Sequence, residues 1–107
     1  TFLVTLLFMT NALREQPLVD DPILDVMAQA RAEYLCNHKF SHDGFELLNP
    51  GYRWFGENLA RGYKTPGEVV LAWYKSPLHK ANMLSSKYQK VGFGQACGIE
   101  VMFLGGL

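Results

Sequence analysis

The stretch Phe55-Gly56-Glu57-Asn58-Leu59-Ala60, followed by Thr65-Pro66-Gly67-Glu68 and then by Trp73-Tyr74-Lys75-Ser76-Pro77-Leu78-His79, decides how this chain is organised. Phe55 to Ala60 reads as a short strand. Thr65-Pro66-Gly67-Glu68 is a capping box with Pro at the first helical position, so a helix starts there. Its inner face is Val69, Val70, Trp73 and Tyr74. Ser76-Pro77 repeats the start signal for a short helix through Leu84, with Ser76 as N-cap. Glu57 thus stands on the strand and His79 on the short helix, and a third group, His42 in Phe40-Ser41-His42, lies upstream. These three side chains can form one polar cluster.

Outward from this centre the pattern changes period. Tyr88 to Ala96 and Ile99 to Leu104 read as two strands, with Cys97-Gly98 as the turn between them. Upstream, His38 to Trp54 reads as a loop holding the turn formers Asp43-Gly44 and Asn49-Pro50-Gly51. Its length exceeds the usual connection, and long ordered loops are often functional. A helix is expected from Pro22 to about Asn37, with Asp20 and Asp21 as capping groups. Ile23, Met27, Ala30 and Tyr34 form its apolar stripe, widened by Leu24, Ala28 and Leu35. A first helix is expected from about Phe2 to Glu15, ended by Pro17. It is apolar almost all round, the pattern of a helix covered on most sides. Four helices and about three strands in this order predict an α+β fold, with helices packed on a small antiparallel sheet.

The 107 residues suffice for a single domain spanning 1–107 and one core. Apolar residues make up 49% and charged residues 19%, a globular balance rather than a disordered one. Ten basic and ten acidic residues cancel, which removes the electrostatic footprint expected of a nucleic-acid partner or an anionic membrane surface. Thr1 to Met9 is strongly apolar but too short to span a bilayer. It has no basic leading region and no small-residue cleavage site, so it makes a poor signal peptide as it stands. The chain has no initiator Met, which is compatible with an export signal already removed. Cys36 and Cys97 can form one bridge in an oxidising compartment or stand as two separate thiols. Cys36 falls off the apolar stripe of its helix and Cys97 at a strand end, a placement that suits a bridge.

Asn11-Ala12-Leu13-Arg14, Ser41-His42, Gly56-Glu57-Asn58-Leu59-Ala60, Ser76-Pro77-Leu78-His79 followed by Asn82-Met83-Leu84, and Val91-Gly92-Phe93-Gly94, in this order, resemble the CAP superfamily of cysteine-rich secretory, antigen 5 and pathogenesis-related 1 proteins, in its short bacterial form. The resemblance implies an α-β-α sandwich, a secreted or extracellular location, and a cleft lined by His42, Glu57 and His79. Many eukaryotic members carry a second glutamate where this chain has Ser76, so a four-residue cluster is reduced here to three.

Two neutral imidazoles converging on one point suit a borderline divalent cation such as zinc. Within the resemblance, His42 and His79 are the expected ligands. Glu57 then either orients an imidazole from behind or, in a hydrolase, serves as general base. The same trio also reads as a hydrogen-bonded structural cluster, since a buried carboxylate needs partners. Three functions follow. The first is a non-enzymatic binding module whose cleft takes a small apolar or peptidic ligand, with or without a metal. The second is a metal-assisted hydrolase acting on peptides. The third is a structural or interaction domain. The first is favoured, because no third strong ligand, oxyanion hole or nucleophile stands out. His38 is left outside the site. Tyr52, Trp54, Phe55 and Tyr63 form an aromatic group that serves either as core or as the lining of a groove.

Overall fold

A computed structural model describes all 107 residues. The elements in chain order are α1 (Phe2–Asn11), β1 (Val19–Asp20), α2 (Pro22–Cys36), a 3-10 turn (Phe45–Leu48), β2 (Trp54–Arg61), α3 (Pro66–Lys75), α4 (Pro77–Leu84), β3 (Lys90–Ala96) and β4 (Ile99–Gly106). The four strands form one sheet in the order β1-β3-β4-β2. The β2–β4 and β3–β4 pairs are antiparallel, as expected, but the short β1 adds a parallel pair with β3, so the sheet is mixed.

Helices cover both faces of the sheet. On one face Leu24, Ala28, Ala32 and Leu35 of α2 pack against Leu59, Ile99, Val101 and Phe103. On the other, Leu6 of α1, Val69, Val70 and Trp73 of α3 and Met83 of α4 pack against Val91, Phe93, Met102 and Leu104. Strand β4 is buried along its whole length because its residues alternate between these two cores.

The apolar stripe expected for α2 is displaced. Ile23 and Tyr34 are exposed, and the inward face is the one marked by Leu24, Ala28, Ala32 and Leu35. The cause lies on β3. A Cβ at Gly92 would come within 2.2 Å of the Leu24 carbonyl carbon, and one at Gly94 within 2.3 Å of that of Ala28. The backbones of helix and strand touch, so the inward face favours small residues over bulky ones. Beyond the two residues of β1, β3 has a free edge. Asp25 Oδ1 accepts from Phe93 N–H at 3.0 Å, and Gln29 exchanges two hydrogen bonds with the Gln95 backbone at 2.9 Å each. These bonds satisfy backbone groups that would otherwise invite another strand.

Local start signals act as expected at two helices. Asp21 Oδ1 caps α2 by accepting from Ile23 N–H at 2.9 Å, with Pro22 next in line. Thr65 and Glu68 form the reciprocal capping box of α3. Ser76 occupies the N-cap position of α4, but its hydroxyl makes no capping bond. Helix α1 is shorter and more open than expected. It ends at Asn11, whose side chain bonds both backbone groups of Leu18, and Val4 and Phe8 are about three-quarters exposed. Arg14, just beyond α1, donates to the carbonyls of Met83, Ser85 and Tyr88 at 2.7, 3.0 and 2.8 Å. It thereby closes the C-terminal end of α4. Tyr74, expected inside, is partly exposed.

Cys36, the last residue of α2, is bridged to Cys97, with a Cα–Cα distance of 5.8 Å. Cys97 and Gly98 both have positive φ, 54° and 70°, as the two central residues of a tight hairpin turn.

Candidate functional site

Strand β2 is the organising element. It pairs with β4 on one side only, so its outer edge faces α3 and α4. That edge is taken up by side chains: Leu59 O accepts from Trp73 Nε1 at 3.0 Å, and Glu57 O accepts from Asn82 Nδ2 at 3.3 Å. Asn82 Nδ2 also donates to Asn58 Oδ1 at 3.0 Å, while Asn58 Nδ2 donates to His79 O at 3.1 Å. The helix that carries His79 is thus pinned to the strand that carries Glu57.

Alternation along β2 turns Glu57 toward the side of α2 and its neighbour Asn58 toward α4. There Glu57 meets Arg31. Arg31 Nε donates to Glu57 Oε2 at 2.8 Å, and Nη2 lies 3.4 Å from Oε1. The same Nη2 donates to Ser41 O at 3.1 Å and Asp43 O at 3.3 Å, the carbonyls on either side of His42. His42 Nδ1 then donates to Glu57 Oε1 at 2.8 Å. One arginine therefore neutralises the carboxylate and holds the loop that presents the imidazole to it. With Nδ1 committed as donor, His42 keeps the lone pair of Nε2 free.

The His42 and His79 ring centroids lie 6.2 Å apart, with the ring planes tilted by 52°. Burial, and then the nearby His42, hold the His79 imidazole below its ordinary pKa. Both histidines and Glu57 line a cavity of about 440 Å³, together with Phe45, Phe55 and Tyr88. Gly56 makes room for Tyr88: a Cβ there would lie 2.5 Å from the Tyr88 hydroxyl oxygen. A second cavity, of about 380 Å³, shares Ser76 and His79 with the first and continues past the end of β2.

The structure thus brings His42, Glu57 and His79 together. His38 stays apart, stacked on Tyr34 with its Nδ1 against Tyr34 O. Of the aromatic group, Phe55 lines the first cavity and Tyr63 the second. Trp54 stands at the start of β2 beneath Arg53 and Lys87, and the Tyr52 hydroxyl donates to Asp21. A larger cavity of about 840 Å³ lies between α1 and α2, remote from the trio.

Four contributors were missed from the sequence: Arg31, Asn58, Asn82 and Tyr88. Arg31 is buried between Ala28 and Ala32 on the inward face of α2, a placement that requires an acidic partner but that the sequence-based stripe did not mark as inward.

The donor set suits an open cation site rather than a closed one. Two imidazole nitrogens are available, and the Glu57 oxygens are already engaged by Arg31 and His42. No group of three or more His, Cys, Asp or Glu side chains gathers in a metal-holding arrangement.

The model of the cysteine-rich secretory protein family matches residues 11–100. The chain belongs to the CAP family. This CAP domain is 33% identical over 100 residues to the uncharacterised protein YkwD of Bacillus subtilis, covering 80% of this chain and 39% of that protein. An extracellular SCP-domain protein of Bacillus anthracis superposes with a TM-score of 0.88 at 20% identity, over 97% of this chain and 40% of that one. An outer surface protein of Borrelia burgdorferi superposes with a TM-score of 0.77 at 23% identity, covering 96% of this chain and 87% of its own. The chain therefore spans about two fifths of the two Bacillus proteins, and its fold is the α-β-α sandwich of CAP domains.

Proposed function

We propose that this CAP domain is an extracellular binding module whose His42–Glu57–His79 cleft takes a divalent cation such as zinc together with a small apolar or peptidic ligand. The observation that carries this reading is the hydrogen bond from His42 Nδ1 to Glu57 Oε1 at 2.8 Å, behind which Arg31 neutralises the carboxylate. It fixes one tautomer and leaves Nε2 unengaged and able to ligate, on a ring whose centroid is 6.2 Å from that of His79. The His79 imidazole, held below its ordinary pKa, stays neutral at neutral pH, the form that ligates. A cation bound there would offer Lewis acidity toward a carbonyl or carboxylate of the ligand. The extracellular reading draws on the Bacillus anthracis and Borrelia proteins and on the Cys36–Cys97 bridge, which suits an oxidising compartment.

A peptide-hydrolysing reading would need Glu57 as general base. Its oxygens already accept from Arg31 and His42, so a water would have to displace one of these bonds. The binding reading is the better supported.

Zinc titration followed by calorimetry and by imidazole NMR signals tests it. Native protein should bind, and the His42→Ala/His79→Ala double variant should not. Glu57→Gln should weaken binding by about 10- to 100-fold through loss of the orienting acceptor. Unchanged binding in the double variant would place any zinc elsewhere and overturn the proposal.

A further inference from the structure

The second cavity, on the far side of His79, indicates what kind of ligand the cleft takes, an inference that rests on the binding reading above. Its walls include Phe40, Leu59, Tyr63, Ala72 and Trp73, and Arg61, the last residue of β2, lines it as well. The Arg61 guanidinium lies over the Phe40 ring, 4.4 Å from its centroid, and makes no hydrogen bond or ion pair within the protein. Arg14 and Arg31, by contrast, spend their guanidinium groups on carbonyls and on Glu57. No carboxylate lines this cavity. Glu100, across from Ala60 in the β2–β4 pair, is wholly buried: Gln95 donates to its Oε2, its Oε1 has no partner, and burial pushes its carboxyl pKa up, toward the protonated form. In the adjoining cavity the one carboxylate, Glu57, is already paired with Arg31. The second cavity therefore presents an aromatic slot, the His79 imidazole that it shares with the first cavity, and one uncommitted positive charge, that of Arg61. A planar guanidinium held on an aromatic face keeps its donor edge open to a carboxylate.

We infer that the cleft binds ligands with an apolar or aromatic body and a free carboxylate, of which the C-terminal residue of a peptide is the simplest, with the body in the Phe40–Tyr63–Trp73 slot and the carboxylate on Arg61. The sign of the charge decides this. A cationic ligand of the same size would be repelled by Arg61, and a neutral one would gain only the weaker hydrogen bond to an uncharged acceptor.

The test uses N-acetyl-phenylalanine and its primary amide as a matched pair, titrated into native protein, Arg61→Gln and Arg61→Lys. Binding is read from backbone amide shifts. Native protein should prefer the acid over the amide by about tenfold, the scale of one charge-assisted hydrogen bond. Arg61→Gln should abolish that preference, bringing the acid to the level of the amide in the same variant, and Arg61→Lys should keep most of it. The amide is the control for damage to the slot, since loss of Phe40 packing would weaken both ligands alike. Equal binding of acid and amide by native protein overturns the inference, as does a preference that survives in Arg61→Gln or shifts that map away from Phe40, Trp73 and His79. Absence of any binding by either probe, with zinc still bound through His42 and His79, removes this inference and leaves the metal cleft standing.

Discussion

Arg31 on α2 and Glu57 on β2 form an ion pair, Nε to Oε2 at 2.8 Å, in which the side chains retain 4% and 0% of their exposure. The pair links a helix, a strand and the loop that carries His42. Breaking such a pair from one side strands a buried charge and costs about 3–5 kcal/mol. Arg31→Met should therefore destabilise strongly. Arg31→Met combined with Glu57→Gln, which removes the stranded charge, should recover roughly 2 kcal/mol of that loss. Urea denaturation of the native protein, both single variants and the double variant yields the coupling. Additive effects would mean that the two side chains do not act as a pair.

The Cys36–Cys97 bridge joins the end of α2 to the β3–β4 turn across a sequence separation of 61 residues. Closing a loop of that size removes unfolded-state entropy equivalent to at most ~4 kcal/mol. Unfolded, unreduced protein should show no free thiol. Reduction, or Cys36→Ala with Cys97→Ala, should lower the denaturation midpoint while leaving the sheet intact. A thiol titre of two before reduction would refute the bridge.

Acidic groups where β1 meets α2 give stability an unusual pH dependence. Burial, and then the adjacent Asp20, push the Asp25 carboxyl up to about 6. An unfolded Asp titrates near ~3.9. Between these values the native state binds more protons than the unfolded state, so the contribution is fully present below the lower value and is lost as the pH rises through the upper one. Asp25→Asn keeps the acceptor that Phe93 N–H uses at 3.0 Å. It should leave stability unchanged at acidic pH near ~4 and raise it at pH ~8 by about 1 kcal/mol, a figure already reduced because Asp25 is only half-buried and solvent screens it. Denaturation curves at the two pH values decide. An equal gain at both would point to a cause other than titration.

His79 works in the opposite sense. Its folded pKa lies below the ordinary value, so the unfolded chain takes up the proton first on acidification. The contribution of this imidazole is whole above its unfolded pKa of ~6.5 and declines as the pH falls below it. His79→Gln should flatten that part of the stability profile by an amount visible in melting curves taken between pH ~7 and ~5. A profile that keeps its slope in the variant would assign the acid sensitivity to another group.

Much of this architecture is written in near-neighbour chemistry, which a sequence displays directly. The Thr65–Glu68 capping box, the Asp21-Pro22 helix start and the Cys97-Gly98 hairpin depend on contacts within a few residues, and each appears in the structure where the sequence places it. The order of the His42, Glu57 and His79 motifs likewise points to the family and the fold without coordinates. Tertiary structure alone decided which side of α2 turns inward. Periodicity ranks faces by bulk and favours Ile23, Met27 and Tyr34, whereas Gly92 and Gly94 bring the β3 backbone so close that the side with Ala28 and Ala32 must face it. The parallel pairing of Val19–Asp20 was hidden for a similar reason, since two residues carry no period of their own. Arg31 shows the limit most plainly. It stands 26 residues from Glu57, and nothing in its local surroundings names a partner. Only the approach of α2 to β2 makes the pair, and the same approach sets the carbonyls around His42 within reach of the guanidinium.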